Sequence, residues 1–202
     1  MQIANTNLMA GIPNTTAAQA GVKNAGTKSA GTKSAEVVNT GVDFSGQVMK
    51  CVSAGGQKVM LNADALMSYA SPQTGESVNI YRAEQYTKDN PVYLIKGLDA
   101  KGNEFSYEVD ASKINPGRCS YNELMVLNVE TGGNTPENYL HAVAMRDKAG
   151  VSSYFEQADY LSAGKAALAD LRTVGAWDSY LSMDKWLQRI IAYAAKQAQE
   201  LF

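Results

Sequence analysis

The chain has 202 residues and a mass of 21.7 kDa, enough for one domain or for a domain with a tail. Eighteen basic against twenty acidic residues leave a net charge of −2, which argues against a general nucleic-acid binder, because such proteins concentrate positive charge to neutralise phosphates. One histidine and two cysteines cannot fill the common four-ligand zinc sites without carboxylate help, and no run approaches the roughly 18 apolar residues of a membrane span, so neither metal, cofactor nor membrane span is expected.

The start, Met1 to Pro13, has no basic n-region and no apolar run of signal-peptide length. The expectation is a cytoplasmic protein with Cys51 and Cys119, 68 positions apart, as free thiols; a structural disulfide is the alternative. Signal-less export through a flagellar or type III-like route uses polar N-termini, and composition leaves it open.

From residue 1 to about 40 the chain is Ala, Gly, Thr, Ser and Asn, with a direct repeat, Ala25-Gly-Thr-Lys-Ser29 and Ala30-Gly-Thr-Lys-Ser34. Without aromatics it cannot bury enough area to offset its conformational entropy, so a disordered tail is expected over 1–40 and a single domain over 41–202. Its lysines, Lys23, Lys28 and Lys33, are too sparse for an anionic-lipid tether.

Residues 42–117 read as strands. Val48 to Ser53 and Lys58 to Asn62 flank the glycine-rich turn Ala54-Gly-Gly-Gln57. Ala63 to Ala70 reads as a short helix ended by Ser71-Pro72. Strands follow at Ser77–Arg82, Val92–Leu98 and Glu104–Asp110, the last two joined by the turn Asp99-Ala-Lys-Gly102. The final strand alternates, with Phe105, Tyr107 and Val109 on one face and Glu104, Ser106 and Glu108 on the other.

Residues 120–202 read as helices. Ser120-Tyr-Asn-Glu123 is a capping box. Thr135-Pro136-Glu137 supplies a cap, a first-turn proline and an acid for a second helix ending at Gly150. A third is expected from Ser153 to Thr173, with Gly164 weakening its middle, and Gly175 breaks it. A fourth starts at Asp178 and carries an apolar stripe through Leu181, Trp186, Leu187, Ile190 and Ile191.

Four constellations bear on chemistry. Cys119 stands at the start of a capped helix, where the dipole favours a thiolate, and His141 is the one histidine that a cysteine nucleophile would need as base. The plainer reading makes Cys119 a packing residue and His141 a helix-surface residue. Asp99, Glu104, Glu108 and Asp110 lack calcium-loop spacing and read as a solvated face. The glycine pairs at 55–56 and 132–133 lack the P-loop ending and read as turns. Tyr81, Tyr93 and Tyr107 form one aromatic face in this reading, which either binds a ligand or packs under the C-terminal helices.

Asp99-Ala-Lys-Gly-Asn-Glu104, Ile114-Asn-Pro116 and Ser120-Tyr-Asn-Glu-Leu-Met-Val-Leu127 together resemble a class of short uncharacterised Firmicutes proteins over about 36 residues. That resemblance implies neither an activity nor catalytic residues. The Asn- and Thr-rich start, taken with the long terminal helix, is also similar to flagellar axial and export-substrate proteins.

The expected fold is α+β, a small antiparallel meander covered by a C-terminal helical cluster. The expected function is a non-enzymatic interaction or accessory protein with an unidentified protein partner, docking through its tail or through Trp186, Leu187, Ile190 and Ile191 of the last helix. A signal-less exported component and a small enzyme using Cys119 and His141 are the alternatives.

Overall fold

The computed structural model describes residues 49–54 and 57–200, with side chains described from 59 to 199. The chain divides into Met1–Glu36 and Val37–Phe202, and every described residue belongs to the second unit. The tail expected over 1–40 and the Gly55-Gly56 turn lie outside the described residues.

Strands β1 (Met49–Ala54) and β2 (Gln57–Asn62) form an antiparallel ribbon. Four further strands, β3 (Met67–Ala70), β4 (Ser77–Arg82), β5 (Val92–Leu98) and β6 (Glu104–Asp110), make an antiparallel meander in chain order. After a 3-10 turn at Ala111–Lys113, the two-residue strand β7 (Cys119–Ser120) leads into helix α1 (Tyr121–Glu130). Helix α2 (Pro136–Ala149) follows, then β8 (Gln157–Ala158), which pairs with β7, and helices α3 (Tyr160–Thr173) and α4 (Trp177–Glu200). The fold is α+β, as the pattern of elements indicated.

Local chemistry sets most boundaries. Ser120 Oγ accepts the Glu123 N–H at 3.2 Å while Glu123 accepts the Ser120 N–H at 2.6 Å, so both amides of the α1 start are satisfied. Thr135 caps α2 ahead of Pro136, and Gly150 closes it in the left-handed region.

Two expected helical segments take other forms. Residues 67–70 are strand, because Met67 and Tyr69 fall on one face and are buried while Ser68 and Ala70 point to the other. An Asn62 side chain accepting the Asp64 N–H at 2.9 Å turns the chain into that strand. Pairing with β4 thus overrides the helical propensity of the alanines. The third helix begins at Tyr160 rather than Ser153. The Tyr154 N–H is taken by the buried Glu76 carboxylate (3.2 Å), which also accepts from Ser153 Oγ (2.6 Å), and the Tyr154 carbonyl accepts the Asn122 N–H. Those bonds hold 153–154 out of a helix, and Asp159 caps α3 instead.

The register assigns each sheet residue to a face. Val78, Ile80, Tyr93, Ile95 and Val109 share one face with Met67 and Tyr69 and form the core against α1. Tyr107 shares it. Tyr81, opposite Leu94, lies on the reverse face, so the three tyrosines do not form a single aromatic surface. Tyr93 and Tyr107 do pack beneath the helices: Tyr93 donates to Glu130 at 2.5 Å and Tyr107 accepts from Asn122 at 2.9 Å.

Helix α1 is buried nearly all round, as a helix enclosed by other elements must be. Its asparagines serve opposite neighbours. Asn122 accepts from Tyr69 of the sheet at 2.7 Å, and Asn128 accepts from Trp186 of α4 at 2.8 Å.

Candidate functional site

Cys119 and His141 are not assembled into a reactive pair. Cys119 is a free thiol, 1% exposed in β7. Burial pushes the thiol up from its ordinary value, and the Glu123 and Asp159 carboxylates push it the same way. Burial first, and then the charge of the capping carboxylate that completes α1, overrule the helix dipole. His141 is buried rather than on the helix surface, with its Nε2 3.1 Å from Ser182 Oγ of α4 and its ring 5.9 Å from the Trp186 ring.

Glu137 lies 3.9 Å from the same His141 nitrogen. Serine, histidine and glutamate therefore meet, but not as a relay: a triad needs the acid on one ring nitrogen and the nucleophile on the other. Here both contacts converge on Nε2. Burial holds His141 below its ordinary value, and Glu137 partly opposes that shift.

The predicted docking stripe belongs to the protein's own core. Trp186, Leu187 and Ile190 are 0%, 2% and 0% exposed, and Ile191 is half-buried against the same cluster. Trp186 is fixed further by its bond to Asn128. A Cβ at Gly133 would lie 2.3 Å from Asn128 Oδ1 and 3.2 Å from Trp186 Nε1, so only glycine lets the turn pass over that bond. Gly164 has a similar role in α3: a Cβ there would stand 2.9 Å from Leu187 Cδ2. The glycine that weakens the helix by propensity leaves room for the end of the Leu187 side chain of α4, which a Cβ would force to shift.

What α4 leaves outside is a different set. Trp177 and Leu181, one turn apart, are 56% and 63% exposed, and Val174 in the turn before them is 75% exposed. Leu181 belongs by its apolar character to the stripe of the last helix but stays outside the core, and Trp177 lies one residue ahead of the expected helix start. Their i, i+4 spacing was the available signal. Elsewhere a groove of about 370 Å³ opens between α2, α3 and α4, walled by Leu140, Ala144, Leu171 and Met183. His141 and Glu137 reach it, and the Lys148–Asp170 ion pair ties α2 to α3 at its rim. This groove and the outer face of α4 offer apolar surface for binding.

Among the described residues no group of three or more His, Cys, Asp or Glu is placed to hold a metal, and no helix is long and apolar enough to cross a membrane. Compared with known proteins, the chain matches no family model, no curated protein and no solved structure. The segments carrying the Firmicutes resemblance fold as a hairpin turn around Asp99, an Asn115 turn and the α1 cap.

Proposed function

We propose that this chain is a non-enzymatic interaction protein, and that the first turns of α4 insert into an apolar groove of a protein partner. The observation that carries this reading is the exposure of Trp177 and Leu181 in the first turns of α4, with Val174 in the turn before it, while Met183, Trp186, Leu187 and Ile190 of the same helix are buried. A monomer gains nothing by leaving an indole and a leucine of adjacent turns in water, whereas interfaces are enriched in such anchors. A helix face read at i and i+4 is also a common way for one protein to enter another's groove. The burial of Cys119 and the bond between His141 and Ser182 favour this reading over the enzyme alternative.

The test compares the full chain with a Trp177→Ser, Leu181→Ser double variant. Exposed substitutions change stability by about 0.5 kcal/mol or less, so the thermal midpoint of the variant should stay near that of the parent. A protein captured from the source lysate by the parent and lost with the variant supports the reading. Equal capture by both overturns it. Sedimentation of the two purified proteins identifies the case in which the groove belongs to a second copy of this chain.

A further inference from the structure

Strand β6 is an edge of the four-stranded sheet, and among the described residues nothing pairs with its outer side. Its register against β5 runs one-to-one from Val92↔Asp110 to Leu98↔Glu104, so no bulge interrupts it. The Asp99 N–H donates to the Asn103 carbonyl, and the Ala111 N–H donates to the Pro91 carbonyl. In an antiparallel ladder bonded pairs alternate, so Phe105, Tyr107 and Val109 are the β6 residues bonded to β5. The N–H and C=O groups of Ser106 and Glu108 therefore point away from the sheet.

Natural edges are blunted by proline, lysine, bulges, short length or a cover. The opposite edge, β3, is four residues long, and the Leu66 carbonyl beside it is taken by the Asn134 side chain. Strand β6 is seven residues long and contains neither proline nor lysine. What guards it is charge. Self-pairing of two copies about Ser106 would set Glu104 of each against Glu108 of the other, and like charges directly opposite are destabilising.

We propose that the β6 edge is a docking site for an extended basic segment of another protein, which adds to the sheet as a fifth strand. Glu108, one of the carboxylates that exclude a second copy, selects such a segment. Glu108 is exposed, and the side chain that bonds it is the neutral amide of Gln85, at 2.7 Å, which brings no positive charge to it. On the other face of the edge, Phe105 and Tyr107 stand beside Phe155, which is 38% exposed and meets Phe105 edge-to-face at 4.9 Å. An added strand thus places apolar side chains beside this aromatic wall and basic ones beside Glu108, alternating with the pleat. The proposal shares the interaction-protein reading but uses a surface separate from Trp177 and Leu181.

The probe is the peptide Thr-Lys-Val-Thr-Val-Lys-Thr, whose pattern is the same in either strand direction, titrated into the ¹⁵N-labelled full chain. The amides of Ser106 and Glu108 should shift and gain protection from exchange. Those of Phe105 and Tyr107, already bonded, should be protected before any addition. Glu108→Lys should weaken binding about threefold to fivefold, as an exposed ion pair does, and should favour a peptide with glutamates in place of the lysines. The Trp177→Ser, Leu181→Ser variant should bind the peptide as the parent does, so failure here and failure of the α4 reading are separable. Shifts confined to other residues, equal binding of the lysine and glutamate peptides, or protection of Ser106 that grows with protein concentration alone would each overturn the proposal.

Discussion

The two faces of the meander are covered by different physics. One face, with Val78, Ile80, Tyr93 and Ile95, meets the apolar side chains of α1 and is held by area removed from water. The other meets the β1–β2 ribbon through polar groups. Asn79 Oδ1 accepts the Asn62 N–H at 2.7 Å and lies 2.8 Å from Ser68 Oγ, while its Nδ2 donates to the Met60 carbonyl at 3.0 Å. Ser77 Oγ accepts the Met60 N–H at 3.0 Å. Asn79 is 1% exposed and Ser77 fully buried, so these bonds replace water for the ribbon backbone. Apolar burial is tolerant of small shifts in position, whereas a side-chain amide bonded at both ends allows one placement only. The ribbon, too small to be stable alone, is located by that amide.

Breaking each face in turn sharpens the contrast. Ile95→Ala, at a fully buried site on the helix face, should lower stability by about 2–5 kcal/mol in chemical denaturation. The loss should be global, with exchange rates rising across sheet and helices together. Asn79→Leu keeps the volume but leaves the Asn62 N–H and the Met60 carbonyl without their partner. That substitution should lower stability by about 2–3 kcal/mol. Its signature is local: amides of β2 should exchange faster by a larger factor than amides of α1. Uniform acceleration in both variants would show that the ribbon and the helices are one cooperative unit, and that the polar pin has no separate role.

How far this was legible in the sequence follows from the range of the interactions. Turns and caps were legible, because Ser120 with Glu123, Thr135 with Pro136, and the Asp99 loop act within a few residues. So was the alternation of β6, which reports a half-buried strand directly. Residues 67–70 were not, since their conformation is decided by pairing with β4 and by the Asn62 turn. The stripe of α4 showed that Trp186, Leu187 and Ile190 need a partner surface, but periodicity cannot say whose. Asn128, 58 residues away, settles it. Cys119 looked reactive because a dipole can be read from a cap, whereas burial and the Asp159 carboxylate arrive through the fold.

The smallest expected effect concerns a polar contact in the helical layer, between His141 of α2 and Ser182 of α4. Burial lowers the proton affinity of His141 in the folded protein, with Glu137 opposing. The unfolded chain then binds the proton more readily than the folded one. The sign follows: this contribution is fully present above the unfolded value of about 6.5 and is lost as pH falls below it toward the folded value. His141→Gln retains a side chain able to bond Ser182 Oγ but does not titrate. Thermal midpoints of parent and variant should differ by a constant above about pH 7, and the parent should lose ground steadily toward about pH 5.5. If the difference instead ran the other way, with the parent gaining on acidification, Glu137 would outweigh burial. The contact would then be an ion pair added to the helices rather than a neutral pin of the kind that Asn79 provides beneath the sheet.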